Sequence, residues 1–107
     1  MIKVSVLYPA KEGSRFDFDY YFNTHMPMVA EKLAPALRGV MADRGMSGPQ
    51  PDSPPAYVAM AHLLFDSPEA FQTAFGPHAD AIMGDIPNYT DIEPIIQISE
   101  ATILRLS

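Results

Sequence analysis

The chain has 107 residues, 48% apolar and 19% charged, which is one domain's worth of material with enough hydrophobic side chains to fold. Seven basic against thirteen acidic residues give a net charge of −6, and with no Lys/Arg cluster the chain lacks the footprint of a nucleic-acid or anionic-membrane binder. The absence of cysteine excludes disulfides, thiolate catalysis and Cys-based zinc sites. The opening stretch MIKVSVLYPAKEG, broken by Lys3 and Ser5, is too short for the apolar core of a signal peptide. No run approaches the ~20 apolar residues of a membrane span. A soluble, cytoplasmic protein forming a single domain over 1–107 is expected.

Ile2–Tyr8 alternates, with Ile2, Val4, Val6 and Tyr8 on one face and Lys3, Ser5 and Leu7 on the other, which is the period of a strand. Pro9 to Ser14, containing Gly13, turns the chain out of it. From Asp17 the period becomes helical: at 100° per residue Phe18, Phe22, His25, Val29, Leu33 and Ala36 share one stripe. Asp17 is the expected N-cap. Pro27, opposite the stripe, forfeits a hydrogen bond to the carbonyl of Asn23 and predicts a kink. The helix is expected to end near Pro35 or Gly39.

Arg38–Met46 is a weaker strand, followed by a loop at 47–55 that holds four of the eleven prolines. Ala56–Phe65 is the most strand-like stretch, with Tyr57, Ala59, Ala61, Leu63 and Phe65 on one face and Val58, Met60, His62 and Leu64 on the other. Ser67-Pro68-Glu69 announces a second helix: a Ser cap, proline at the first helical position and an acid in the first turn. Gly76-Pro77 interrupts it, and His78–Met83 resumes it. Ile92–Leu106 then carries strand-like runs at Ile95–Ile98 and Thr102–Leu106.

The order β-α-β-β-α-β predicts an α+β, ferredoxin-like split βαβ fold: a four-stranded antiparallel sheet with two helices on one face. Two helices cover only that face, yet Ala56–Phe65 is apolar on both. A homodimer formed through the open sheet face is the simplest way to keep that surface from water.

Among residues that carry chemistry, His25 stands out because it sits within the apolar stripe. Burial disfavours its imidazolium, and a neutral imidazole in a dry pocket suits a general base or a hydrogen-bond anchor. The position equally fits a core histidine satisfied by a carbonyl or a tyrosine hydroxyl. Tyr21 and Tyr89 can hold a ligand oxygen or simply pack. Met26, Met28, Met60 and Met83 suit either a deformable cavity or an ordinary core. His62 suits a ligand contact or an interface, and His78 a solvated cap. Asp80, Asp85, Asp91 and Glu93 read as a solvated acidic face, with Asp91 available to orient a histidine. The histidine spacings match no metal motif, and no GxGxxG, Walker, GxSxG or Ser-His-Asp pattern is present. The candidates are therefore His25, Tyr21 and Asp91 as catalytic residues and Phe22, Tyr89, His62 and Met60 as ligand-binding ones, with no metal or cofactor. The ligand expected is a small apolar or aromatic molecule.

Tyr8-Pro9, Gly13, Phe16-Asp17, Tyr20-Tyr21 and His25-Met26-Pro27 form one block. Phe65-Asp66-Ser67-Pro68-Glu69-Ala70-Phe71 forms a second, and Asn88-Tyr89-Thr90-Asp91 with Pro94 and Gln97 a third. Together they resemble the EthD family over essentially the whole chain, apart from the proline loop. The resemblance implies a dimeric α+β barrel. The family is named for bacterial ethyl tert-butyl ether degradation, where such a protein accompanies an oxygenase, and its members carry the general label oxidoreductase. Similar barrels include cofactor-independent monooxygenases, muconolactone isomerase-like enzymes and fungal polyketide dehydratases or decarboxylases, and some bind haem, which here would use His25 or His62. By position, His25 corresponds to the family's helix-one histidine, and Tyr21 and Asp91 to recurrent polar positions. The resemblance implies either an enzyme acting on a small apolar compound or a non-catalytic, ligand-carrying accessory dimer.

Overall fold

The computed structural model describes residues 1–102 and Arg105. Four strands, β1 (Ile2–Pro9), β2 (Gly39–Arg44), β3 (Tyr57–Phe65) and β4 (Ile95–Glu100), form one antiparallel sheet in the order β2-β3-β1-β4. This is the ferredoxin-like arrangement expected from the element order. Thr102 lies outside any strand, and Ile103, Leu104 and Leu106 of the expected final run lie outside the described residues.

The first helix is built in three pieces: α1 (Phe18–Tyr20), a π turn at Tyr21–His25, and α2 (Met26–Leu33). Asp17 caps α1 as expected, its carboxylate accepting from the backbone N–H of Tyr20 at 3.1 Å. The expected kink at Pro27 is replaced by this π turn, in which the N–H of Met26 donates to the carbonyl of Tyr21. A wider turn accommodates the ring that a regular helix would drive against the Asn23 carbonyl, and Pro27 then occupies the first turn of α2, where it is tolerated.

The extra residue also resets the inward stripe. Tyr21, His25, Val29 and Leu33 are the buried positions, while Phe18 and Phe22 are only partly buried. The helix stops at Leu33 because Ala34 is extended, as a residue before proline prefers.

The second helical segment follows the sequence closely. Ser67 accepts from the N–H of Ala70 at 3.0 Å and caps α3 (Pro68–Phe75). A 3₁₀ turn at Gly76–His78 breaks the helix, α4 (Ala79–Asp85) resumes it, and a second 3₁₀ turn spans Ile86–Asn88. Gly13, at φ +82°, makes the turn after β1, a conformation that glycine adopts without steric cost.

All helices cover one sheet face. Beneath them two apolar clusters meet. One is aliphatic and phenylalanine-rich, around Val4, Val29, Leu33, Leu63 and Phe65. The other is rich in tyrosine, around Tyr8, Tyr21 and Tyr89. On the opposite face, Ser5, Leu7, Met41, Met60, His62 and Leu64 stand in register across β1, β2 and β3. Here the Ser5 hydroxyl and Nδ1 of His62 are 2.9 Å apart. The helices do not reach the β4 edge, so Ile96 and Ile98 remain about half exposed, at 47% and 48%.

Candidate active site

Where the two clusters meet, a cavity of about 300 Å³ opens between the sheet and the helices. Its floor is Val4, Val6 and Tyr8 of β1 with Ala61 and Leu63 of β3, and its roof includes Tyr21, His25, Met26 and Phe71. Alternation along β1 and the reset stripe of the first helix aim these side chains at one another. The lining is almost wholly apolar.

His25 is 4% exposed. Its Nδ1 lies 2.9 Å from Oδ2 of Asp85, the last residue of α4. Asp85 is held from several sides, because its Oδ1 accepts from the Tyr20 hydroxyl at 2.7 Å and from the Asn88 amide at 2.9 Å. Burial pushes the imidazole pKa below its usual value and outweighs the opposing pull of the Asp85 carboxylate. Burial alone would push the Asp85 carboxyl up, but hydrogen bonds from Tyr20, His25 and Asn88 leave it below the usual range. A neutral His25 therefore donates its Nδ1 proton to an ionised Asp85, and the lone pair sits on Nε2. Among the described residues Nε2 has no hydrogen-bond partner.

The tyrosines are neutral phenols, since burial raises the pKa of Tyr8, Tyr21 and Tyr89. Tyr8 and Tyr89 share a hydrogen bond of 2.6 Å between their hydroxyls. Tyr21 stacks on His25, with planes 15° apart, and among the described residues its buried hydroxyl has no hydrogen-bond partner. A base with a fixed tautomer, set in a dry aromatic wall, can accept a proton from a bound molecule without a metal or cofactor. Among the described residues no three His, Asp or Glu side chains converge as a metal site requires, and no helix is long and apolar enough to cross a membrane.

Residues 13–93 match the family model of the EthD domain. The chain belongs to the EthD family. An EthD-like protein from Ralstonia eutropha JMP134, known from a crystal structure, is 47% identical with a TM-score of 0.92, over 97% of this chain and 94% of that one. An ethyl tert-butyl ether D (EthD) family protein from Bacillus halodurans C-125 shares the fold at 24% identity and a TM-score of 0.76, over 95% and 99% of the two chains. HapK from Hahella chejuensis shares it more distantly, at 13% identity and 0.56 over 100% and 99%. No curated protein matches the chain.

Within this EthD domain the sequence candidates separate. His25, Tyr21 and Tyr89 come together, the Tyr89 ring centroid lying 4.6 Å from that of His25. Asp91 is not the carboxylate at His25. It accepts from the backbone N–H of Arg15 at 2.9 Å, while Thr90 donates to the Arg15 carbonyl at 2.7 Å, so this block ties down the entry to α1. Phe22 packs against Phe18 and Tyr21 at the edge of the tyrosine-rich cluster and is not in the cavity wall. His62 and Met60 point to the opposite sheet face, because even-numbered residues of β3 pair with Ser5 and Leu7. His25 and His62 therefore lie on opposite sides of the sheet. Of Met26, Met28, Met60 and Met83, only Met26 and Met83 line the cavity among the described residues.

Sequence reasoning missed Asp85, which it read as part of a solvated acidic face, and gave Tyr20 no role. One signal was available: Asp85 ends a helix, where a negative charge opposes the macrodipole and calls for some other partner.

Proposed function

We propose that this EthD domain binds a small apolar or aromatic compound in the cavity and removes a proton from it, with His25 as base. The observation that carries this reading is the His25–Asp85 pair: a carboxylate fixes the imidazole tautomer and leaves Nε2 unengaged in a residue that lines a dry cavity. The proton passes from an acidic C–H or O–H of the ligand to Nε2, and the bonding electron pair stays on the ligand as an enolate or phenolate. The new imidazolium is stabilised by ionised Asp85. Tyr21 contributes its ring, stacked on His25, to the wall beside the base. The setting is an oxidative, oxidoreductase-linked pathway in the cytoplasm.

The same reading includes a homodimer. The open sheet face carries Leu7, Met41, Met60 and Leu64, and burying it against a second copy removes apolar surface from water.

Deuterium exchange at the carbon next to the carbonyl of 2-tetralone, followed by NMR in D₂O, tests the chemistry. The protein accelerates exchange, and His25→Ala abolishes the acceleration while circular dichroism stays native. Exchange at the unmodified rate in His25→Ala overturns the assignment of the base. Sedimentation at micromolar concentration yields twice the chain mass, and a monomer refutes the dimer. The scarcity of polar atoms in the lining favours one alternative, a ligand-carrying accessory protein, for which 2-tetralone binds but does not exchange.

A further inference from the structure

The cavity is polar at one end only. Along β1 its floor runs from Val4 to Tyr8, about 13 Å at the usual strand rise. The Val4 end is walled by Val29, Leu33, Leu63 and Phe75, and the Tyr8 end by Tyr21 and His25. Among the described residues no Lys or Arg side chain is in the lining. The hydrogen-bonding groups at the polar end are mostly spent: Tyr8 and Tyr89 satisfy each other, and the Tyr21 hydroxyl is buried. What remains uncommitted in His25 is Nε2, whose character is fixed from behind. Asp85 can only accept, so Nδ1 bears the hydrogen and Nε2 presents a lone pair. A ligand head group meets an acceptor there, and it gains by bringing a hydrogen.

We infer that the cavity selects an uncharged, hydroxyl-bearing aromatic molecule of about two rings, whose O–H is donated to Nε2 of His25, over the corresponding ether and carboxylate. The size follows from volume, since a cavity of about 150 Å³ holds one benzene and this one has about 300 Å³. An ether oxygen would set lone pair against lone pair. A carboxylate would be desolvated with no cation to receive it and with ionised Asp85 behind the histidine. The inference rests on the ligand-binding half of the proposed function and not on proton transfer from carbon.

Titration of the protein at pH 7 with 2-naphthol, 2-methoxynaphthalene, naphthalene and 2-naphthoate tests it. The naphthol binds about tenfold tighter than the methyl ether, as one hydrogen bond in a dry site provides. The ether matches naphthalene within about twofold, and the carboxylate binds at least about 100-fold more weakly than the naphthol. In His25→Phe the naphthol advantage over its ether disappears. The comparison among ligands on the unmodified protein stands even if that variant does not fold. Equal binding of naphthol and ether, or tighter binding of the carboxylate, overturns the inference. Exchange of 2-tetralone that depends on His25 without a naphthol preference overturns it while sparing the base. A naphthol preference without tetralone exchange supports it and removes the chemistry.

Discussion

Replacing Tyr21 by Phe removes a single oxygen from the interior and should make the ligand-free protein more stable. Tyr21 has no solvent exposure, and among the described residues its hydroxyl has no hydrogen-bond partner to offset its desolvation. A buried hydroxyl left unpaired costs about 1–3 kcal/mol, whereas a ring of the same shape without it preserves the aromatic packing around Phe16, Tyr8 and Tyr89. Taking the low end, the gain is about 1 kcal/mol. Unfolding entropy of about 2.1 cal/mol/K per residue gives about 0.22 kcal/mol/K for 107 residues, so Tm rises by about 4 °C. Tyr8→Phe is the control of opposite sign: it breaks the 2.6 Å bond and strands the buried Tyr89 hydroxyl, lowering Tm by at least a similar amount. Differential scanning calorimetry at pH 7 and equal protein concentration reads both. A fall in Tm for Tyr21→Phe comparable to that for Tyr8→Phe refutes the reasoning, because it means the Tyr21 hydroxyl is satisfied in the native protein.

The His25 ring, followed by NMR, titrates below its usual midpoint of 6.5, and Asp85→Asn lowers the midpoint further because the carboxylate is what favours the charged ring; an unchanged or higher midpoint in the variant counts against the pairing. Because the folded pKa of His25 is below the unfolded one, the unfolded chain takes up the proton first, and stability falls as pH drops from 6.5 through the folded value. Asp85, also depressed, adds a second loss as pH falls below 3.8, so urea midpoints decline towards acid; a rise between pH 7 and 5 contradicts this sign. Ser67→Ala lowers stability by about 1 kcal/mol by removing the cap of α3, measured by urea unfolding, and an effect within about 0.2 kcal/mol would mean that the cap contributes nothing.

Much of the architecture is legible in the chain because local rules and tertiary packing agree. The alternation of β1 and β3, the Asp17 and Ser67 caps and the Gly76-Pro77 break all appear where residue chemistry places them. The EthD resemblance is equally readable, since its blocks survive as contiguous motifs. The site is legible only in part. His25 is marked by being polar within an apolar stripe, but its partner is 60 residues away and no periodicity links the two. The π turn is invisible to a fixed 100° projection, which is why Phe22 was placed inward and Tyr21 beside it. The placement of Met60 and His62 away from the cavity has a different origin. A strand that is apolar on both faces does not declare which face the helices choose, and the pairing of β1 with β3 decides it.

The π turn at Tyr21–His25 also dictates how this scaffold can change over generations. Such a turn holds one residue more than an α-helix needs, so losing a single codon at Asn23 or Thr24 would restore a regular spiral and rotate everything upstream by about 100°. Tyr21 would swing off the cavity while Val29 and Leu33 stayed in place. His25, downstream of the loss, would keep its place, but the Tyr20 hydroxyl would leave Asp85 and the Tyr21 ring would leave the imidazole, so the base would survive without the side chains that set it.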